Sequence, residues 1–94
     1  MIELFVEFDE EFDRKKSDLT KRVRGIDFIE AREAFSDPNE TIGPGNTVDD
    51  EVRWLRVGNA LGQLWTVGYT VRQGLIRIFM VRPPHPDERD AYNG

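Results

Sequence analysis

Residues Val52 to Arg82, VRWLRVGNALGQLWTVGYTVRQGLIRIFMVR, hold three apolar, β-branched and aromatic runs separated by two glycine-bearing breaks, Gly58–Gly62 and Arg72–Gly74. Runs of this kind suit strands and short glycine-containing breaks close hairpins, so the stretch predicts three antiparallel strands joined as a meander. Leu64–Val71 and Leu75–Val81 show little apolar/polar alternation, which places them centrally, covered on at least part of both faces. Arg53, Arg56, Arg77 and Arg82 sit inside these runs. A guanidinium keeps its proton and is costly to bury alone, so each must meet a carboxylate or open onto a groove that receives an anion.

The chain has 94 residues, enough for one domain (1–94) with a single modest core. It lacks cysteine, which excludes disulfides and thiolate metal sites. The longest apolar stretches are strand-length and no secretory leader is visible, so the expectation is a soluble cytoplasmic protein with no membrane contact. No residue pattern calls for a cofactor or a metal. The formal charge of −5 argues against a surface that grips nucleic acid everywhere. Its distribution is uneven. Residues 1–51 carry 15 acids and 7 bases, a balance of −8, whereas residues 52–94 carry 3 acids and 6 bases, a balance of +3. Six of the first half's bases fall between Arg14 and Arg24, so the basic groups form two clusters that a fold can bring together.

In chain order, Ile2–Phe8 alternates around Leu4, Val6 and Phe8 and predicts a short first strand suited to a sheet edge. Asp9–Arg24 reads as a helix with acids in its first turn and bases in its last, capped by Asp9. Its apolar side is thin: Phe12, Leu19 and Val23. Gly25 stands where a left-handed cap belongs. Asp27–Phe35 reads as a second helix, with Asp27 as N-cap, Glu30 completing a capping box, and Phe28, Ala31, Ala34 and Phe35 as its buried stripe. Ser36–Asp50 is rich in Pro, Gly, Asn and Asp and predicts an exposed loop with one short strand at most. After the meander, the Pro83–Pro86 segment cannot continue a strand, and Asp87–Tyr92 is enough for a short helix. The expected class is α+β: a short strand, two helices, a three-strand antiparallel meander and a short C-terminal helix.

This succession carries a family resemblance. Gly25-Ile26-Asp27-Phe28 through Phe35-Ser36-Asp37-Pro38, then Trp54-Leu55, then Tyr69-Thr70 through Ile76-Arg77-Ile78 to Arg82, and the ending Glu88-Arg89 with Tyr92, resemble the BrnT toxins. These are small bacterial ribonucleases of type II toxin–antitoxin systems with a RelE-like fold. The resemblance covers nearly the whole chain. It implies an RNA substrate, a BrnA-like antitoxin partner, and either a dimer or a toxin–antitoxin hetero-oligomer. Two departures stand out. Where the family usually carries Lys-His-Gly at the end of its first helix, this chain has Arg22-Val23-Arg24-Gly25, and near the C-terminus Asp87 and Asp90 replace the usual bases. With Val6–Asp9 as the family's first strand the helix is four residues longer than usual, whereas an alignment on Phe12-Asp13 needs no insertion.

Metal-independent RNA cleavage needs a proton acceptor for the 2′-OH, a stabiliser of the extra negative charge in the transition state, and a proton donor for the leaving oxygen. The arginine fork suits the second task. Arg77, in mid-strand, is the first choice, and the resemblance implies the same; a structural salt bridge is the alternative. Glu51 and Arg53 lie two apart on one predicted strand and share a face. The resemblance makes Glu51 a candidate base and Arg53 a second phosphate clamp, against the alternative of a plain surface ion pair. Arg82 lies five residues past Arg77, on the opposite face of a regular strand, so the two serve one site only if a bulge or a bend at Pro83 intervenes. Arg22, Arg24, Arg89 and Tyr92 are candidates for RNA contact, although no guanidinium shuttles protons at neutral pH. His85, the only histidine, lies outside the motif positions and reads as exposed and inert. Trp54, Trp65 and Phe79 offer stacking surfaces, yet a core of this size has use for most of its aromatics. A second class of function fits the acidic first half and the missing Lys-His pair: a catalytically inactive relative acting as an acidic binding protein, for example a phage-type inhibitor or nucleic-acid mimic. One fold hosts both.

Overall fold

A computed structural model describes residues 7–39, 41–48 and 50–94. Its elements are helix α1 (Arg14–Arg24), a 3₁₀ helix (Glu30–Ser36), strands β1 (Thr41–Val48), β2 (Glu51–Ala60), β3 (Gln63–Arg72) and β4 (Leu75–Arg82), and helix α2 (Pro86–Asn93). The strands form one antiparallel sheet in the order β1-β2-β3-β4. The α+β class and the meander stand as expected. Of the expected first strand only Glu7 and Phe8 fall within the described residues. There Phe8 bridges Ile76 in parallel, with the Ile76 N–H donating to Glu7 O and the Asp9 N–H to Ile76 O, so residues 7–9 run beside β4.

The sheet gains an eight-residue strand, β1, where the sequence predicted a loop with one short strand at most. Its ends, Thr41-Ile42 and Thr47-Val48, are β-branched, and the Pro44-Gly45-Asn46 centre is accommodated as a bulge: Pro44 pairs with Trp54 but Thr47 pairs with Val52. Proline and bulges belong on an edge strand, where a missing N–H breaks no ladder on the solvent side. The β2–β3 and β3–β4 hairpins are two-residue turns, Leu61-Gly62 and Gln73-Gly74, with positive φ at both positions (51° and 80°, 52° and 78°). That is the turn whose twist matches the flanking strands. Gly58, read from sequence as part of a break, is instead inside β2. A Cβ there would lie 2.5 Å from the Ala34 carbonyl oxygen, so glycine is what lets the 3₁₀ helix touch the sheet.

The core lies between the 3₁₀ helix and one sheet face. Ile26, Phe28, Ala31, Ala34 and Phe35 pack onto Trp65, Val67, Tyr69, Ile78 and Val81. Phe35 is the hub, edge-on to Phe8 (5.2 Å) and to Tyr69 (5.0 Å). The expected capping box forms: the Glu30 N–H donates to Asp27 Oδ1 (2.7 Å) and the Asp27 N–H to Glu30 Oε1 (3.1 Å). The segment winds as a 3₁₀ helix, not the expected α-helix, with the Arg32 N–H bonded to Ile29 O. Helix α1 begins four residues later than expected, capped by Asp13, not Asp9; Gly25 closes it in the left-handed conformation. Of its expected apolar side, Phe12, which now precedes the helix, packs against the core, and the other two residues do not. Leu19 and Val23 are exposed, and the buried residue is Ser17, whose Oγ accepts the Phe28 N–H at 3.0 Å. Among the described residues no helix is long and apolar enough to cross a membrane.

Candidate functional site

Alternation divides the sheet. Trp65, Val67 and Tyr69 of β3 face the core, so Thr66, Gly68 and Thr70 face the other side. Through the ladder that second face includes Leu55 and Val57 of β2 and, one step beyond the printed pairing of Trp54 with Tyr69, Arg53 opposite Thr70. Thr70 in turn pairs with Arg77. Arg53, Thr70 and Arg77 therefore form one cross-strand row, with the outer two Cα atoms about 10 Å apart at the usual strand spacing.

The condition set for Arg82 is met. Tyr69 pairs with Ile78 but Gly68 pairs with Met80, leaving Phe79 as an extra residue on β4. Beyond this bulge the parity of β4 reverses, so Arg82, paired with Thr66, faces the same side as Arg77. Arg56 faces the core, where its guanidinium lies 4.4 Å from the Phe35 ring and donates to Phe35 O. Of the five sheet arginines, four, Arg53, Arg72, Arg77 and Arg82, share the second face.

Helix α2 covers one end of this face. Glu88 accepts both Nη atoms of Arg82 (2.7 and 2.9 Å), the Thr66 hydroxyl and the His85 N–H. These bonds, the Arg82 ones foremost, pull the Glu88 pKa down to about 2 against the opposing effect of burial. His85 is exposed and caps the helix reciprocally with Glu88. The Tyr92 hydroxyl donates to Asp37 Oδ2 (2.7 Å), which also accepts the Asn59 N–H, so Tyr92 pins the helix to the end of the 3₁₀ segment.

The rest of the face is open and holds two hollows. The larger, about 410 Å³, is lined by Arg53, Leu55, Phe79, Met80, Arg82 and the Asn46 region of the β1 bulge. The second, about 360 Å³, holds Arg72 and Arg77 with Asp9 and Glu11. Arg77 donates to Asp9 Oδ2 from Nε (3.3 Å) and Nη2 (3.1 Å). The Glu11 N–H and then the Arg77 guanidinium hold the Asp9 carboxyl below its usual range. Glu51 is gripped by Arg72 through both oxygens, at 2.6 and 3.0 Å, and this pair is the main cause that lowers its pKa, with smaller help from the Arg77 and Arg53 charges. Arg53 has no ion pair among the described residues; its guanidinium lies 4.6 Å from the Phe79 ring centroid.

The structure thus gathers Glu51, Arg53, Arg77 and Arg82 on one sheet face. It does not bring Arg22, Arg24, Arg89 or Tyr92 to either hollow. Arg22 and Arg24 are exposed in the last turn of α1, and Arg89 is exposed on α2. The α1 base nearest the larger hollow is Lys16, whose ammonium lies 5.7 Å from the Phe79 centroid. Arg22 and Arg24 lie about 9 and 12 Å farther along the helix axis. Lys16 escaped the reading because three consecutive bases, Arg14-Lys15-Lys16, point in different directions and only the turn of the helix selects one. Asn46 escaped because its segment was read as loop.

A family model described as the ribonuclease toxin BrnT of type II toxin–antitoxin systems matches residues 12–88. The match begins at the Phe12-Asp13 pair, the alignment without an insertion. No curated protein matches the chain.

Proposed function

Since the chain belongs to the BrnT family of ribonuclease toxins of type II toxin–antitoxin systems, we propose that it cleaves RNA without a metal ion, on the open sheet face, by arginine stabilisation of the phosphate transition state. Membership implies an RNA target and an antitoxin partner. The observation that carries the site is the Phe79 bulge, which turns Arg82 onto the face already holding Arg53 and Arg77. Cations converging from neighbouring strands can hold a phosphodiester between them and gain most when the phosphorane-like transition state adds charge.

Arg53 and Arg77, in one row with Thr70 between them, are the clamps in this reading, and Arg82 guides the flanking backbone. Arg77 and Arg82 are held by Asp9 and Glu88, so RNA must displace a carboxylate to engage either of them. Arg53 is the one to which phosphate has direct access. Glu51, one row along, is the proton acceptor: Arg72 keeps it ionised at neutral pH, the state a base requires, and lowers its basicity at the same time. A BrnA-like antitoxin would silence the enzyme by covering this face.

The neutralisation of Arg72, Arg77 and Arg82 in place favours a second reading, a family member that has lost turnover and acts through protein contact. Incubation of single-stranded RNA with purified protein in EDTA at low salt, beside Arg53→Ala and Arg77→Ala, separates the two. Products with 2′,3′-cyclic or 3′-phosphate ends, lost in both variants, are expected. Intact RNA with folded wild-type protein would reject the catalytic reading, and equal cleavage by all three would mean a contaminant.

A further inference from the structure

Phe79 is the one residue of β4 at the bulge with no cross-strand partner, and its ring lies over the second face rather than in the core. The position is built for it. A Cβ on Gly68 would meet Phe79 Cζ at 2.7 Å and Cε1 at 3.0 Å, so the glycine provides the floor on which the ring rests. Two cations lie over the ring, the Arg53 guanidinium at 4.6 Å and the Lys16 ammonium at 5.7 Å from its centroid, contributed by β2 and α1, so a base that stacks there takes the place of a cation, which turns to the adjoining phosphate. Every other large aromatic in the meander is committed elsewhere. Trp65 and Tyr69 are buried in the core, and Trp54 packs against it.

A half-exposed ring, fixed on a strand and flanked by bases from two elements, matches the chemistry by which single-stranded nucleic acid is held. Bases stack on the π-face while cations take the adjoining phosphates, and a base within a duplex is not available for such stacking. The hollow of about 410 Å³ beside it falls in the size range of small-ligand sites, about 300–1,000 Å³. We propose that Phe79 is a base-stacking subsite that seats one unpaired nucleobase of the RNA next to the Arg53 clamp. The subsite makes the protein selective for single strands and unpaired loops. It rests on the reading of this face as the RNA-cleaving face, and Phe79 acts as a binding residue, not as a catalytic one.

The test uses full-length protein with wild-type Phe79, Phe79→Leu and Phe79→Trp. The substrates are one single-stranded oligoribonucleotide, its duplex, and a set bearing one abasic site at each position. Phe79→Leu is expected to raise KM for the single strand by about 5- to 150-fold, the cost of losing one stacked base, with a smaller change in kcat. Phe79→Trp is expected to restore KM, and one abasic position to erase the difference between wild type and Phe79→Leu. Unchanged KM in a folded Phe79→Leu protein, or failure of Phe79→Trp to rescue it, would overturn the subsite while leaving ribonuclease activity intact. If wild type cleaves nothing, the fluorescence of Phe79→Trp still reads the subsite. Compared with wild type, which controls for Trp54 and Trp65, added quenching by single-stranded 2′-O-methyl RNA but not by duplex would support it, and no added quenching would overturn it.

Discussion

On β3 the residues alternate between two environments. Trp65, Val67 and Tyr69 are closed under the 3₁₀ helix, while Thr66, Gly68 and Thr70 lie beneath arginines, a bulged phenylalanine and one short helix. The difference in how the two faces treat charge is instructive. The core face takes one arginine, Arg56, lays it on the Phe35 ring and buries it. The open face takes four, and holds Arg72, Arg77 and Arg82 with carboxylates supplied by three different segments while leaving Arg53 against a ring. Hydrophobic packing thus fixes one side, and exchangeable ion pairs dress the other. Carboxylate and phosphate compete for the same guanidinium geometry, so a face dressed in this way can exchange one anion for another.

The contrast breaks most visibly under core truncation. Phe28→Ala, at a side chain 1 % exposed, is expected to cost about 3–5 kcal/mol in chemical denaturation. A smaller loss would mean that the 3₁₀ layer contributes little. On the other face, Arg53→Ala is expected to lower cleavage about 100- to 1,000-fold, the usual cost of losing a transition-state donor, with little change in thermal midpoint.

The third prediction joins the two properties. Glu88 titrates at about 2 when folded, against an ordinary 4.5, so its contribution is present above pH 4.5 and is lost as pH falls toward 2. The linked stability is at most about 3 kcal/mol. Glu88→Gln should therefore flatten the acid limb of stability against pH. By freeing Arg82 it should also tighten RNA binding, measured at low salt by anisotropy. A fourth substitution, Gly58→Ala, drives a methyl into the Ala34 carbonyl and is expected to cost about 1–3 kcal/mol. The smallest effect expected is a gain: Leu61→Gly in the β2–β3 hairpin, where leucine is half exposed at φ 51°, should stabilise by about 0.5–1 kcal/mol.

How far the sequence made this legible follows from which features are local. The capping box at Asp27 and Glu30, the Gly25 cap, the Phe28 to Phe35 stripe and the meander all express short-range rules, and all appear in the fold. Strand β1 was hidden because its proline, glycine and asparagine are those of a loop, and only an edge position and a bulge against Trp54–Val52 make them a strand. The start of α1 was misplaced because Asp9 and Asp13 are equally good caps in isolation, and Asp9 is instead taken by Arg77. At the site, the alternation rule put Glu51 and Arg53 on one face correctly. The common face of Arg77 and Arg82 depended on a bulge that no residue type announces. The partners were less legible still: Glu51 with Arg72 and Arg77 with Asp9 span separations that only the assembled sheet brings together, and Arg82 meets Glu88 only because the chain turns back at Pro83–Pro86.

The central claim, that the face opposite the core receives RNA, is tested most directly by an NMR titration of the protein with a non-cleavable single-stranded RNA at low salt. The account predicts amide and side-chain perturbations at Asn46, Arg53, Arg77, Phe79, Met80 and Arg82, with Ala31, Ala34 and the outer side of α1 at Val23 unmoved. Perturbations concentrated on α1 or around Asp37 and Tyr92, with the open face silent, would contradict it.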